Sequence, residues 1–493
     1  MKAPGWGDLY AWRVDRDDST PLFRQIYLQV RSAILSQALR PGSKLPSTRE
    51  VASQLGVARA SVVSAYEQLL AEGYLSGKVG SGTYISSDLP EPMERRVRRP
   101  AVGPAAAARQ IRLEARAQIF ESFDGPDVQS EALPFNLGRS RVDSRTVEAW
   151  RRIGRREFRS LSSIHLGYSE ARGLIELRQT ICDYLRAARA VSCEPEQILV
   201  TAGTQHAIDI AIRVLLSPGD QVWVEDPCYP MTYGALAAAK VKRNHIPVDA
   251  QGLDVAVGVR RAPNARAVFV TPSHQFPLGV VLSMPRRLEL LAWAQDADAW
   301  IIENDYHSEF QYSGRPLASL QGLDDANRVI YVGTLNKILF PGLRMGYVVA
   351  PPSLVQAFVG ARCLMDRQPS TLHQMLIAEF MRQGYLAAHI RRMRLLYRDQ
   401  RDFLVAELTR RVGTNVTVQA PPQGMHLVAY LRDGLSDIHV EQVAREHGVI
   451  VQAISPLYKA APGRSGLMLG FSGYSPDAMI PAVERLARIV RKQ

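Results

Sequence analysis

Lys337 sits in the stretch Val332-Gly333-Thr334-Leu335-Asn336-Lys337-Ile338-Leu339-Phe340-Pro341-Gly342-Leu343-Arg344. It follows the apolar run Val329 to Val332 and precedes a Pro-Gly pair that breaks regular structure. A lysine at the end of a buried strand, with a hydroxyl three residues before it and a guanidinium seven after it, suits one cofactor chemistry in particular. Its amine would form a Schiff base with pyridoxal phosphate, while Thr334 and Arg344 hold the phosphate.

The other chemistry-bearing motifs fall where strands are expected to end. From about residue 134 strand and helix patterns alternate, which predicts an α/β sheet flanked on both faces. Ligands of such sheets gather at the strand C-termini. Ile198 to Thr201 runs into Ala202 to His206, which opens a helix carrying Ile208, Ile212, Leu215 and Leu216, so the amides of Gly203 and Thr204 are candidates for the phosphate. Val222 to Val224 leads to Tyr229, which suits ring stacking. Val268 to Val270 leads to His274 and Gln275 as polar ligands, and Trp300 to Ile302 leads to Asn304, Asp305 and Tyr306. Upstream lies Gly167 to Gly173, with Tyr168. Each turn alone is weak evidence of a site. Five in this order together with Lys337 favour one.

Some 260 residues before Lys337 lies a different pattern. Leu22, Phe23, Ile26, Val30, Ile34 and Leu35 recur at helical spacing, which predicts a helix over 21–38 with Thr20 as its N-cap. Ser47 with Glu50 reads as a capping box opening a second helix that reaches Leu55. Gly56-Val57 turns into a third helix, Ala58 to Glu72, expected to face Val62, Val63, Tyr66, Leu69 and Leu70 inward. Two helices joined by a glycine turn form a helix-turn-helix, whose second helix enters the major groove by its N-terminal residues. The glycine-rich run Gly77 to Ile85 predicts a hairpin that approaches the phosphodiester backbone as a wing.

Length and composition agree with several folded units. The chain has 493 residues, 46% apolar and 22% charged, with a formal charge of +12. Residues 1–94 are balanced, ten Lys/Arg against ten Asp/Glu, whereas residues 95–116 carry seven Arg against one Glu. That places the basic surplus in a Pro-, Ala- and Arg-rich tether, in which Ala105 to Arg116 is a candidate short helix. The expected organisation is a DNA-reading domain over 15–87, a flexible basic linker over 88–130 and a cofactor domain over 131–493. No apolar stretch approaches membrane-spanning length, the N-terminus has no signal-peptide core, and Cys182, Cys193, Cys228 and Cys363 form no pairing framework, so a cytoplasmic protein is expected. The histidines show no metal-ligand spacing, and no metal is expected.

Residues 20–86 resemble the winged helix-turn-helix of GntR-type repressors. The span from about 134 to 490 resembles fold-type I pyridoxal phosphate enzymes, the aspartate aminotransferase superfamily. Together they resemble a MocR/GabR-type regulator over almost the entire chain. The fold class this implies is multidomain: an α+β winged head and an α/β fold-type I domain. The resemblance implies DNA contacts at Arg49, Arg59, Ser61 and Lys78, with Ser47, Thr48 and Tyr66 on the backbone. It makes Lys337 the Schiff-base lysine, Gly203, Thr204, Thr334 and Arg344 the phosphate cup, Tyr229 the stacking ring and Tyr306 the donor to the phenolate. It also makes Tyr168 the residue lent to a partner subunit, which implies a homodimer binding an operator in double-stranded DNA and answering to a small amino compound or to the cofactor through a Lys337 aldimine.

Three departures bear on function. Asn304 stands where the family usually has the aspartate that pairs with the pyridine nitrogen, so turnover is expected to be weak; a one-residue shift that lets Asp305 take the role is the competing reading. Met231, in Pro230-Met231 after Tyr229, stands where GABA-sensing members are expected to carry an arginine, and Arg464 is the nearest candidate for an effector carboxylate. Cys228 replaces a common glycine and reads as a buried small thiol. The rival reading is a working aminotransferase that carries a DNA-binding appendage.

Overall fold

The computed structural model describes residues 12–36, 38–78, 82–87, 115–123, 133–314, 317–460 and 463–492. The chain forms two compact units, Met1–Arg112 and Leu113–Gln493.

In the first unit, helix α1 (Leu22–Leu35) buries Ile26, Tyr27, Val30 and Ile34, the stripe that a 3.6-residue period lays along one face. Pro21 stands at its N-cap and no side chain caps it. Thr20 is instead held in the preceding turn, its amide donating to Asp18 Oδ1 at 2.8 Å and its carbonyl accepting from Gln25 Nε2 at 2.8 Å. Helix α2 (Thr48–Leu55) opens with the reciprocal box: Ser47 Oγ accepts from the Glu50 amide at 3.3 Å, and the Glu50 carboxylate accepts from the Ser47 amide at 2.7 Å. Gly56, at φ 62°, ends it in the left-handed conformation that glycine adopts without a Cβ clash.

Helix α3 (Arg59–Ala71) buries Val62, Ala65, Tyr66 and Leu69, each large apolar side chain adding about 1.5–3 kcal/mol when fully removed from water. Leu70, expected inward, lies a hundred-degree step beyond Leu69 and is exposed. Strands β1 (Leu75–Lys78) and β2 (Gly82–Ile85) pair antiparallel with Leu75 opposite Ile85, forming the wing. Its tip at residues 79–81 lies outside the described residues.

The second unit begins within the stretch read as linker. Helix α4 (Ala115–Glu121) forms there, and the proposed helix over 105–116 otherwise lies outside the described residues. Helices α5 (Ser144–Arg159), α6 (Ile175–Arg189), α7 (Thr204–Leu215) and α8 (Pro230–Ala238) follow. Phe123, just past α4, seats on Gly234 of α8, where a Cβ would lie 2.2 Å from its ring.

The large sheet comprises β3 (Ile198–Thr201), β4 (Gln221–Asp226), β5 (Lys242–Asp249), β6 (Gly252–Leu253), β7 (Ala267–Val270), β8 (Trp300–Asp305), β9 (Val329–Thr334) and β10 (Gly346–Val349), in the order β3-β10-β9-β8-β7-β4-β5-β6. From β5 through β9 by way of β4, β7 and β8 the pairing is parallel, whereas β10 runs antiparallel to both β9 and β3. Val224, Phe269, Ile302 and Ile330 sit in register on one face and pack with Ala207, Ile208 and Ala211 of α7. Trp223, Val268 and Ile301 fill the opposite face. Burial on both faces explains why these strands read as continuous apolar runs rather than alternating ones.

A second, antiparallel sheet of β11 (Val416–Val418), β12 (His426–Leu431), β13 (Gln452–Ala453) and β14 (Gly466–Gly470) has the order β11-β12-β14-β13. The helices Tyr385–Val412 and Pro476–Arg491 share its core, with Leu404, Leu408, Leu427, Leu469, Val483 and Leu486.

Candidate cofactor site and DNA-facing elements

Lys337 lies in the turn that follows β9. The Ser140 hydroxyl donates to its carbonyl at 2.9 Å, which ties the turn to the segment after Gly138. Burial holds its amine below the ordinary lysine range, favouring the neutral, nucleophilic form. A Cβ on Gly138, whose φ is 79°, would lie 2.1 Å from Lys337 Nζ. Glycine here thus leaves the amine its space. Gly138→Ala is expected to crowd the amine and lower pyridoxal phosphate affinity by at least about tenfold, equal to about 1.4 kcal/mol. Absorbance titration with the cofactor checks this.

The phosphate-cup candidates converge from two elements. Gly203, at φ 101°, is the N-cap of α7 and Thr204 its first residue, so the free amides and positive end of the helix open here. The turn after β9 folds against it, since a Cβ on Gly203 would lie 2.8 Å from Asn336 Nδ2. Thr334 Oγ1 accepts from the Asn336 amide at 3.2 Å, and Asn336 Oδ1 accepts from the Met345 amide at 2.7 Å. Arg344 is exposed at φ 51°; burial raises the Tyr229 hydroxyl above its ordinary range, and the Arg344 charge offsets part of that rise. Tyr229 caps α8 and meets Phe276 edge-on at 5.1 Å.

Strand alternation on β8 settles which side chain faces the cavity. Ile302 and Asn304 point to one side, where Asn304 lines a narrow cavity with Tyr229, Thr232, Glu225 and Thr271. Asp305 points to the other. Its Oδ2 accepts from Arg189 Nε at 2.8 Å and from the Tyr331 hydroxyl at 2.6 Å. Glu303, on the same side as Asp305, accepts from the amides of Leu320 and Gln321, both at 2.9 Å. Asn304 thus faces the cavity, and Asp305 is occupied by a buried ion pair.

The residues fit pyridoxal phosphate. Asn304 Oδ1 and the Tyr306 hydroxyl are buried without a hydrogen-bond partner among the described residues, and such atoms cost about 1–3 kcal/mol each unless something satisfies them. The Tyr306 hydroxyl would donate to the phenolate oxygen of a bound ring, and the Asn304 amide would pair with its nitrogen, by Oδ1 when that nitrogen carries a proton and by the amide N–H when it does not.

Other sequence candidates fall elsewhere. Gln275 is buried, but its Nε2 donates to the Pro227 carbonyl at 2.8 Å and the Phe276 carbonyl at 2.6 Å, and its Oε1 accepts from the Leu278 amide at 3.1 Å. It is spent on shaping its own loop and tying it to the loop after β4. Met231 lies on the α8 face that borders α4, near Gln205, Ile119 and Phe120. Arg464 lies over the Tyr430 ring at 4.3 Å, in a cavity with Pro277 and His426. The two effector candidates therefore line different cavities. Tyr168 is 81% exposed, with the Arg367 guanidinium over its ring at 5.1 Å. Cys228 is buried, and burial pushes its thiol up to about 12, in keeping with an inert packing role.

Sequence reading missed two groups. Glu225, the penultimate residue of β4, is buried, and its carboxylate accepts from the Thr271 amide at 3.2 Å and hydroxyl at 2.6 Å; burial raises it to about 7. The charged residue ending the apolar run Val222–Val224 was its only signal. The second is a set of three buried histidines, His274, His307 and His426, of which the sequence singled out His274 alone, as a polar ligand of the cofactor, and offered no metal-ligand spacing. They come from three separate loops and strands, so no linear spacing could show them.

In the head, Thr48 and Arg59 stand together, Arg59 Nε donating to Thr48 Oγ1 at 3.3 Å, and Arg49 is exposed beside them. Ser61 lies in the first turn of α3, half-buried. Tyr66 faces inward as its helical spacing predicts, at 3% exposure, and its hydroxyl donates to the Pro46 carbonyl at 3.1 Å, which sets it against the DNA-backbone contact implied by the resemblance. Its helical phase points it into the core. Lys78 ends β1 opposite Gly82; its side chain lies outside the described residues.

Residues 132–486 match the aminotransferase class I and II family, and residues 22–85 match the bacterial regulatory proteins of the gntR family. The chain is 36% identical over 474 residues to the probable rhizopine catabolism regulatory protein MocR of Rhizobium meliloti, covering 96% of this chain and 94% of that protein. It is 31% identical over 466 residues to the pyridoxine biosynthesis transcriptional regulator PdxR of Corynebacterium glutamicum, covering 94% of each. Among solved structures, a kynurenine aminotransferase of Pyrococcus horikoshii in complex with PMP matches with a TM-score of 0.68 at 26% identity, over 77% of this chain and 97% of that one. An alpha-aminoadipate aminotransferase of Thermus thermophilus, bound to N-(5'-phosphopyridoxyl)-L-leucine, matches with a TM-score of 0.70 at 25% identity, over 77% and 97%. With both halves matched in this order and relatives aligned nearly end to end, the chain belongs to the MocR-type family of transcriptional regulators, which join a GntR-type DNA-binding head to an aminotransferase-like, pyridoxal phosphate-dependent domain.

Proposed function

We propose that this protein is a homodimeric cytoplasmic regulator that binds operator DNA through its winged heads and changes that binding when an amino compound, or the cofactor itself, engages Lys337. The single observation carrying the sensor reading is the side-chain order on β8. An amide, Asn304, faces the cavity, and the nearest aspartate is paired with Arg189. When bound, pyridoxal phosphate supplies an aldehyde that condenses with amines and a ring that serves as electron sink when its nitrogen is kept protonated.

Lys337 would hold the cofactor, Gly203, Thr204, Thr334 and Arg344 its phosphate, and Tyr229 and Tyr306 its ring. Asn304 can hydrogen-bond the ring nitrogen but brings no negative charge to stabilise a proton there. Binding and amine exchange are thereby kept while turnover is weakened. Tyr168, exposed in the single chain, is assigned to the partner subunit's phosphate, which makes the site complete only in the dimer.

In the head, Arg49 and Arg59 at the start of α2 and α3 are assigned to DNA, with Ser47, Thr48, Ser61 and Lys78 around them. Arg49→Ala is expected to weaken operator binding by about 1–3 kcal/mol if the arginine reads a base, with specificity relaxed at one position. If it contacts only phosphate, affinity falls on all sequences and the salt dependence flattens by about one unit of slope. Fluorescence anisotropy at several salt concentrations distinguishes these, and unchanged affinity would remove Arg49 from the interface. The rival reading, a working aminotransferase, is tested by turnover on a panel of amino acids. Brisk multiple-turnover transamination by the wild-type chain would favour it.

A further inference from the structure

His274 follows β7, His307 follows β8 and His426 begins β12, so three elements deliver three imidazoles to one point. One ring nitrogen from each lies within 4.8 Å of the other two. Ring centroids are 4.9 Å apart for His274 and His426, 5.5 Å for His274 and His307, and 6.0 Å for His307 and His426. All three side chains are buried, at 1%, 3% and 4% exposure.

Their hydrogen bonding is unusual. Among the described residues, neither nitrogen of His274 and neither nitrogen of His307 has a partner. Buried polar atoms are rarely left so, and each costs about 1–3 kcal/mol. His426 Nε2 lies 3.0 Å from the Pro277 carbonyl. A carbonyl only accepts, so Nε2 carries the proton and Nδ1 of the neutral ring keeps its lone pair. A metal-bound histidine is commonly oriented in this way, its outer N–H anchored to a backbone oxygen. Glycines make the room: a Cβ on Gly424 would lie 2.5 Å from His274 Nε2, and one on Gly279 would lie 3.1 Å from its Cε1.

We propose that His274, His307 and His426 form a binding site for a divalent transition-metal ion of the zinc class. Three imidazoles and an open fourth position are a zinc ligand set, with Zn–N bonds of about 2.0–2.1 Å. Reaching it requires the rings to close by roughly an ångström, within what side-chain torsions allow. The His307 ring lies 4.1 Å from the ring of Tyr306, one of the cofactor candidates, so the ion would stand beside the proposed cofactor site.

The experiment uses the full-length chain, purified without a histidine tag and stripped with a chelator, and titrated with Co2+ and with Zn2+. One ion per chain is expected, with the visible d–d absorption of a four-coordinate Co2+ site, displaced by Zn2+. His307→Asn and, separately, His274→Asn should each lose more affinity than the roughly 10–100-fold that outer-shell changes cost. Thermal unfolding and circular dichroism verify that each variant folds. Absence of stoichiometric binding by the wild-type chain would overturn the site regardless of the variants. So would an unchanged Co2+ spectrum in both folded variants. The test is independent of the sensor reading, since neither DNA nor pyridoxal phosphate is present.

Discussion

Lys337→Ala is expected to abolish the visible absorbance that pyridoxal phosphate acquires on joining the chain, and to leave a cofactor held by non-covalent contacts alone. Two features make Lys337 responsible. Burial holds the amine below the ordinary lysine range, so near neutral pH a larger share is uncharged and nucleophilic than for a surface lysine. Gly138 leaves the space over Nζ open, where any Cβ would stand 2.1 Å away. Since the folded-state value is lowered, the amine stays neutral as pH falls through a range where a free lysine is already protonated. Capture by the wild-type chain should therefore persist below the pH at which a model lysine loses it. The variant should lose roughly 100-fold in cofactor affinity, about 2.7 kcal/mol. Spectral titration with equilibrium dialysis measures both. A variant that kept the visible band would place the covalent link on another amine.

Asn304→Asp should change the chemistry rather than the binding. The carboxylate would occupy the position on β8 that faces the cavity shared with Tyr229 and Thr271. A negative charge there keeps the ring nitrogen protonated and the electron sink active. One well-placed electrostatic group in a closed site is worth about 100- to 1000-fold in rate. The half-reaction with an amino acid is accordingly expected to speed up by roughly 100-fold, read as single-turnover loss of the visible band. Glu225 introduces a constraint. It lines the same cavity and is raised to about 7 by burial, so a second carboxylate nearby will hold its proton more firmly still. Equal and brisk transamination by wild type and variant would show that the amide at Asn304 does not limit turnover.

The sequence carried some of this and not the rest, for physical reasons. The strand-end motifs around Gly203, Tyr229, Asn304 and Lys337 were readable because parallel strands buried on both faces leave long apolar runs with abrupt polar ends. Alternation on β8 was readable too, but the partner that occupies Asp305 was not. Arg189 comes from α6, 116 residues away, and only folding brings it to 2.8 Å. Gln275 looked like a ligand from its type, yet its amide is consumed by its own loop and by the Pro227 carbonyl after β4. Helical phase read Tyr66 correctly as inward-facing, whereas the DNA-backbone contact implied for it by the family resemblance does not follow from its buried position. The histidine cluster was invisible for the same reason as the Arg189 pair: its members share a point in space but no period in the chain.

Coupling of a small molecule to DNA through Lys337 is decided by comparing the operator affinity of wild type and Lys337→Ala. Anisotropy of the full-length chain on DNA from upstream of its own gene, with and without pyridoxal phosphate and candidate amines, supplies that comparison. Wild type should shift its affinity on adding cofactor or amine by the roughly 5- to 150-fold typical of allosteric coupling, and Lys337→Ala should bind the same DNA but show no shift. A variant that responded as wild type does, or a wild type that never responds, would be incompatible with Lys337 as the trigger.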